Sequence, residues 1–419
     1  MAILGTIPRR SVNLPAGSIF TLLDCMLGNR LIEGPEQQTF RSDLAGWLEV
    51  PHVFGASSGR SAFQLALQAL ELEQGSEIIF PVFTFPVMPM VAKRLGYKPV
   101  FCDVDPNTLN AGPEQVAARI TERTSAVLAT HLFGQPCPIR ELAELAKRKN
   151  LRLLEDCAHG LGVRVEGRQV GTFGDIGIFS FAEGKNMPCF AGGAIATADE
   201  GIARRAERVL HDAPAPAKGE LATQAASIWI KWLLTRPTLF GLTAYPVLRL
   251  KLALGQPLMD SAVGDDLLRR FEQSNPRVER FTNLQSAVGI QQLRRIDAFN
   301  QGARRNAQIL TESLGDVPGV QAPKSDGDHI YVYYPLVVDP ARRDDLRHAL
   351  LRHGIDSKLT DMSDCSRLEL FGDEGFRRQG PTEASVLEIC VYPNLPQRQM
   401  RKVGRVIREW AGLPPMPGE

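Results

Sequence analysis

Residues 153–197 read LLEDCAHGLGVRVEGRQVGTFGDIGIFSFAEGKNMPCFAGGAIAT. An apolar strand over 152–155 runs into Asp156, a second apolar run covers 176–181, and a third covers 193–197. Between the first two, Gly171 to Asp175 forms a tight turn that returns the chain to the same sheet. Upstream the alternation continues. Strands are expected at 77–81, 99–104 and 126–130, and helix-period apolar positions fall at 61–72, 85–95, 113–120 and 138–149. From about Gly55 to Thr197 this is an α/β core, a mixed and mostly parallel sheet sandwiched by helices. Ligands collect at the carboxyl ends of such strands, so the loops that follow strands are where chemistry is sought.

At 419 residues the chain has room for two packed units sharing a cleft. A large domain is expected over 1–296 and a smaller C-terminal α/β domain over 297–419. An amphipathic helix at 284–299 leads into the second, which reads as a strand at 331–338, a helix at 344–352, a strand at 388–392 and a helix at 397–410. A 44% apolar and 23% charged composition is that of a globular protein. The net charge of +1 supplies no field to hold a polyanion, so nucleic acid is a poor partner. Seven scattered cysteines (Cys25, Cys102, Cys137, Cys157, Cys189, Cys365 and Cys390) form neither CxxC pairs nor metal-ligand spacing, and no metal is expected. Arg9 and Arg10 precede no apolar stretch of signal-peptide form, which places the chain in the cytoplasm.

Three features of 153–197 carry chemistry. Asp156 at a strand's carboxyl end can hold a pyridinium N–H and so keep such a ring electron-accepting. Ser180 and Lys185 follow the next strand, and Gly184, Gly192 and Gly193 permit close backbone approach, so the lysine can reach an aldehyde. Upstream, Ser58, Gly59, Arg60 and Ser61 stand at a loop-to-helix junction, where free N–H groups and the helix dipole attract phosphate.

EDCAHGLG, GTFGDIGIFSF and SFAEGK with its GG pair resemble the DegT/DnrJ/EryC1/StrS family of sugar aminotransferases, which have the fold type I architecture of pyridoxal-phosphate transferases. The likeness extends to FGASSGRSAFQLAL, EIIFPVFTF, KPVFCDVDP, HLFGQPCPI, ERFTNLQSAVGIQQLRRID and VYPNLP. It implies pyridoxal 5'-phosphate as cofactor and Lys185 as its Schiff-base lysine, later the proton carrier between substrate and cofactor carbons, by way of a pyridoxamine phosphate form. Asp156 would pair with the pyridine nitrogen, Phe85 would stack on the ring, His159 would lie beside the cofactor and Ser180 would donate to its phosphate. The amino donor would be glutamate or glutamine, the acceptor a nucleotide-linked keto-sugar or, alternatively, a lipid-linked or polyketide-like carbonyl at a membrane surface, and the working unit a homodimer with shared sites. Family dehydratases carry histidine at the lysine position, and Lys185 argues against that reaction. Other pyridoxal chemistry, such as aldol cleavage or decarboxylation, shares the same two residues. A non-catalytic cofactor-binding regulator would show a damaged site, and Lys185 and Asp156 are both present.

The departures from the family pattern are specific. Arg60 replaces a threonine of SSGTA and brings a guanidinium that can pair with phosphate. Val278 stands where the family has the asparagine of NYR, a phosphate contact from the partner subunit, leaving Arg277 or Arg280 to substitute. After Gly354-Ile355 the family's HY element is missing and DSKLTDMSDCSRL follows. Residues 221–259 contain no acid, hold Trp229 and Trp232, and carry only Lys231, Arg236, Arg249 and Lys251 as charges. Uncharged runs of about ten and twelve residues fall short of the roughly 20 that cross a bilayer. Two readings remain for this insertion: a helical hairpin packed on the enzyme or at a dimer contact, or a peripheral contact with a membrane or lipid-like acceptor.

Overall fold

A computed structural model describes residues 5–258, 268–269, 271, 277–315, 317–324, 328–372, 376 and 382–416. Seven strands form the main sheet: β1 (His52–Ala56), β2 (Glu77–Pro81), β3 (Lys98–Cys102), β4 (Thr124–Thr130), β5 (Arg152–Asp156), β6 (Ile176–Ser180) and β7 (Gly193–Thr197). Their order is β1-β7-β6-β5-β4-β2-β3. From β6 to β3 all neighbours are parallel, whereas β7 runs antiparallel to both β6 and β1.

Period-two alternation explains why both sheet faces are covered. Ile78, Phe80 and Leu154 face one side, where the helices Gly59–Leu70 and Val87–Arg94 pack through Ala62, Leu65, Ala66 and Val91. Ile79, Val127 and Leu153 face the other, against Ile139, Leu142 and Leu145 of the helix Ile139–Lys149. The link from β5 to β6 has no long helix. It is a turn clamped by Glu155, whose buried carboxylate accepts N–H bonds from Gly171 (2.8 Å), Phe173 (2.6 Å) and Gly174 (2.7 Å).

The C-terminal unit is built on a second sheet, β8 (Val320–Gln321), β9 (Tyr334–Val338), β10 (Lys358–Leu359) and β11 (Val386–Ile389), in the order β8-β9-β11-β10. Helices Ile296–Leu314, Pro340–Arg352 and Gln397–Trp410 cover it. Residues near the N-terminus join this core: Ile7 bridges to Ile355, and Arg9 pairs with Asp356 at 2.7 Å. The two sheets are stitched together where Thr84 pairs with Ser363 and Phe83 with Asp364.

Several expectations are adjusted. The helix expected at 284–299 is two, Asn283–Leu293 and Ile296–Leu314, because they serve different partners: Gly289 of the first lies against Phe40, and Gly302 of the second against Pro393. The helix expected from Asp344 starts at Pro340, since Asp339 caps it by accepting from the Ala341 N–H at 2.9 Å. The insertion is not a hairpin but three helices, Lys218–Leu234, Pro237–Leu242 and Ala244–Ala253, interrupted where Pro237 starts a new helix. Met259, its expected end, lies outside the described residues.

Candidate active site

A cavity of about 530 Å³ opens at the carboxyl ends of β4, β5 and β6, lined there by Thr130, Asp156 and Ser180. Asp156 ends β5 and accepts the Ala158 N–H at 2.9 Å. Burial raises its pKa, while that bond and the charge of Lys185 pull it back. Lys185 sits in the loop after β6. Burial lowers its ammonium to about 8, with Asp156 opposing the fall and Lys358 adding to it. The two groups therefore interact electrostatically across the cavity floor.

The Lys185 loop is held from several directions. Its own N–H donates to Ala182 at 3.0 Å, and the Tyr333 hydroxyl donates to the Gly184 carbonyl at 2.8 Å. Next in sequence, the buried Asn186 amide donates to Leu161 O (2.7 Å) and Asn300 Oδ1 (2.9 Å). An alanine Cβ at Gly184 would lie 2.7 Å from the Tyr333 hydroxyl, which explains the glycine beside the lysine.

Ser58 caps the helix Gly59–Leu70, its Oγ accepting the Ser61 N–H at 3.1 Å, and it bridges to Gly192. Gly59 approaches Ser180 so closely that a Cβ would sit 2.9 Å from its Oγ. A helix N-terminus, a serine hydroxyl and glycine backbone thus meet at one edge of the cavity. Arg60 lies over the Phe271 ring at 4.8 Å and lines both this cavity and an adjoining one of about 440 Å³. Ser61 faces only the adjoining cavity and donates to Arg277 O at 3.0 Å. Arg280 lines neither; it pairs with Glu33 at 3.2 Å. Val278 packs in the apolar core with Leu268.

Phe85 lines the cavity, as does His159. His159 Nδ1 accepts the Phe133 N–H at 3.2 Å, which puts its proton on Nε2, and burial, then Lys185 and Lys358, hold it well below the usual histidine pKa. His131 meets Glu155 at 3.2 Å and lies close to Cys157. That buried trio has ligand-like proximity, but three backbone N–H groups already occupy Glu155, so it reads as the anchor of the turn.

The far wall was not legible from the motifs. Tyr333, Lys358, Asp361 and Glu388 line it from the smaller sheet. Buried Lys358 is held between Asp361 (2.5 Å) and Glu388 (3.2 Å), with its ammonium 5.0 Å from the Tyr333 ring centroid. The inserted helix Lys218–Leu234 supplies Gln224, Ser227, Ile228 and Lys231. At the rim, Glu183 meets both Arg10 (3.3 Å) and Lys231 (2.8 Å). Two cavity-lining hydroxyl oxygens, Thr84 Oγ1 and Thr130 Oγ1, are buried without a partner among the described residues.

Comparison with known proteins identifies the family. The family model for the DegT/DnrJ/EryC1/StrS aminotransferase family matches residues 17–222 and 270–409. A dTDP-4-dehydro-2,3,6-trideoxy-D-glucose 4-aminotransferase of Saccharopolyspora spinosa is 30% identical over 327 residues, covering 77% of this chain and 75% of its own. A UDP-N-acetyl-3-dehydro-alpha-D-glucosamine 3-aminotransferase of Acidithiobacillus ferrooxidans is 26% identical over 381 residues, covering 90% and 89%. Among solved structures, S. venezuelae DesV in complex with a ketimine intermediate superposes with a TM-score of 0.72 at 26% identity, covering 94% of each chain. With the family model matching most of its length, the chain belongs to the DegT/DnrJ/EryC1/StrS aminotransferase family.

Proposed function

We propose that this aminotransferase uses pyridoxal 5'-phosphate to move an amino group from glutamate or glutamine to the keto group of a sugar, most naturally a nucleotide-linked one. The observation that carries this reading is the pairing of Lys185, an amine lowered to about 8, with Asp156, a buried carboxylate, on the floor of one cavity. Both named relatives are aminotransferases of nucleotide-linked keto-sugars, which supports that acceptor class.

The residues present fit the cofactor. Ser58, Gly59 and Ser180 form an anion cradle too tight for a Cβ at Gly59, and the orphaned Thr84 and Thr130 oxygens offer polar contacts inside the cavity. Bound there, the cofactor would supply an electron-accepting ring on which an amino group is carried between substrates. Asp156 holds the ring nitrogen's proton and keeps the positive charge in place. Lys185, its amine lowered to about 8 and so partly neutral at physiological pH, removes and returns the substrate's carbon-bound proton. His159 keeps a neutral Nε2–H donor at the cavity, and Phe85 supplies an apolar face. Arg60 lies beside the cradle and adds a cation at its edge. Arg280 stands outside its own chain's cavity, as a residue that serves the partner's site in a homodimer would.

The test is to incubate holoenzyme with glutamate or glutamine and a panel of nucleotide-linked keto-sugars and to follow the sugars by mass spectrometry. Exchange of a carbonyl oxygen for an amino group is expected. A holoenzyme that consumes neither donor would end the aminotransferase reading, whereas donor consumption without sugar turnover would move the acceptor to another class.

A further inference from the structure

The family match stops at residue 222 and resumes at 270, so most of the three-helix insertion is additional to what the family shares. Its inner side is anchored. Leu221, Ala225 and Ile228 pack on Val12, Leu14 and Leu284, while Phe240, Tyr245 and Leu248 pack with Leu351. Its outer side is apolar at helical spacing. Leu233 and Leu234 stand one turn on from Ile230 on the first helix, the three exposed by 49%, 42% and 58%. Val247, Leu250 and Leu254 repeat the arrangement on the third, exposed by 51%, 60% and 62%, and Leu242 between them is exposed by 57%. Scattered exposed leucines need no explanation, but two stripes on one inserted unit do.

Charge decides what covers these stripes. Between 221 and 258 there is no acidic residue. Lys231 pairs with Glu183 at the cavity rim, but Arg236, Arg249 and Lys251 form no ion pair among the described residues. Arg236 lies 3.9 Å over the Trp232 ring, an aromatic-cation edge of the kind that sits at a lipid headgroup layer. Asp260, Asp265 and Asp266 of the insertion lie outside the described residues, and a two-fold contact through the described helices would set their basic residues against one another. A negatively charged lipid surface meets both the leucine stripes and the bases. The stripe of Phe20, Leu23 and Leu27 on the helix Ser18–Leu27 differs: it lies within the family match and carries Asp24. No described helix is long and apolar enough to cross a membrane, so the contact is peripheral.

We propose that the insertion docks this enzyme on an anionic phospholipid bilayer. Because Gln224, Ser227, Ile228 and Lys231 of the same inserted helix also wall the catalytic cavity, docking brings one cavity wall to the membrane surface. The proposal does not depend on the sugar reading above, and its readout is separate.

Holoenzyme is sedimented with sucrose-loaded vesicles of phosphatidylcholine, with and without phosphatidylglycerol, and its mass in solution is measured by light scattering. Each base near an anionic bilayer contributes about a fivefold factor, so three predict binding on the order of a hundredfold tighter with phosphatidylglycerol, weakening as salt rises. The double variant Leu233→Glu with Leu250→Glu should lose vesicle binding while keeping its thermal midpoint and its conversion by amino donor. The pair Arg236→Gln with Lys251→Gln should flatten the salt dependence. Absence of wild-type binding to anionic vesicles, or undiminished binding by the leucine variant, overturns the proposal. So does a leucine variant of half the wild-type mass, which would make the face an interface between copies.

Discussion

The hydroxyl of Tyr333, on a loop leading into the smaller sheet, donates to the carbonyl of Gly184 at 2.8 Å, one residue before Lys185. One hydrogen bond thus couples the small unit to the position of the Lys185 loop. Tyr333→Phe removes that bond and leaves the ring. Stability should fall by about 1 kcal/mol, the usual net worth of such a bond. Turnover should fall by about tenfold, equivalent to about 1.4 kcal/mol, with donor KM nearly unchanged, because the bond positions the lysine and does not bind donor. Denaturant unfolding and steady-state kinetics check both parts.

Lys358 lowers the pKa of Lys185 through its charge, and Asp361 and Glu388 act in the opposite direction. Replacing Lys358 by Met removes the cation and leaves both carboxylates, so the Lys185 pKa should rise from about 8. Cofactor uptake by apoprotein needs the neutral amine and increases with pH through that pKa. Its inflection, followed by absorbance, should lie near 8 in the wild type and move alkaline in Lys358→Met.

Gly59 has no room for a methyl group, since a Cβ would lie 2.9 Å from both Cβ and Oγ of Ser180. Gly59→Ala must push Ser180 away from the cradle. Pyridoxal phosphate should bind at least about tenfold more weakly, as expected when about 1.4 kcal/mol of phosphate contact is lost. Cofactor titration by fluorescence quenching measures it, with thermal melting of the apoprotein as the control for folding.

Much of the site was legible because its residues are local in sequence. Asp156, Ser180 and Lys185 fall within one strand-turn-strand passage, and alternation alone fixes which strand ends carry them. The far wall was illegible because the chain returns to it from another sheet. A signal for Glu388 existed: it is a carboxylate inside the apolar run Val386–Ile389, all four residues of which are buried. The absence of the HY element marked the segment around Lys358 as divergent but did not identify Lys358 and Asp361 as cavity residues. Strand β1 escaped notice because Gly55 breaks its apolar run; there a Cβ would meet Phe281 at 2.6 Å. The composition of the insertion was visible, whereas its contribution to the cavity wall depends on tertiary packing.

Glu155 is the structural neighbour of the Asp156 carboxylate, and its hydrogen bonds predict a stability effect. Glu155→Ala would strand three N–H groups, the buried one of Gly171 and the partly buried ones of Phe173 and Gly174. At about 1 kcal/mol or more for the buried donor and less for each partly buried one, the loss should be about 2 kcal/mol. Chemical denaturation of the apoprotein reads it without reference to activity.

Lys185 is the amine proposed to hold the cofactor. Borohydride reduction of the holoenzyme followed by peptide mass mapping tests this most directly, with Lys185→Ala treated in parallel. The account predicts a phosphopyridoxyl group on the peptide carrying Lys185 and none on the variant. Label on the Lys358 peptide, or equal label on the variant, would contradict it.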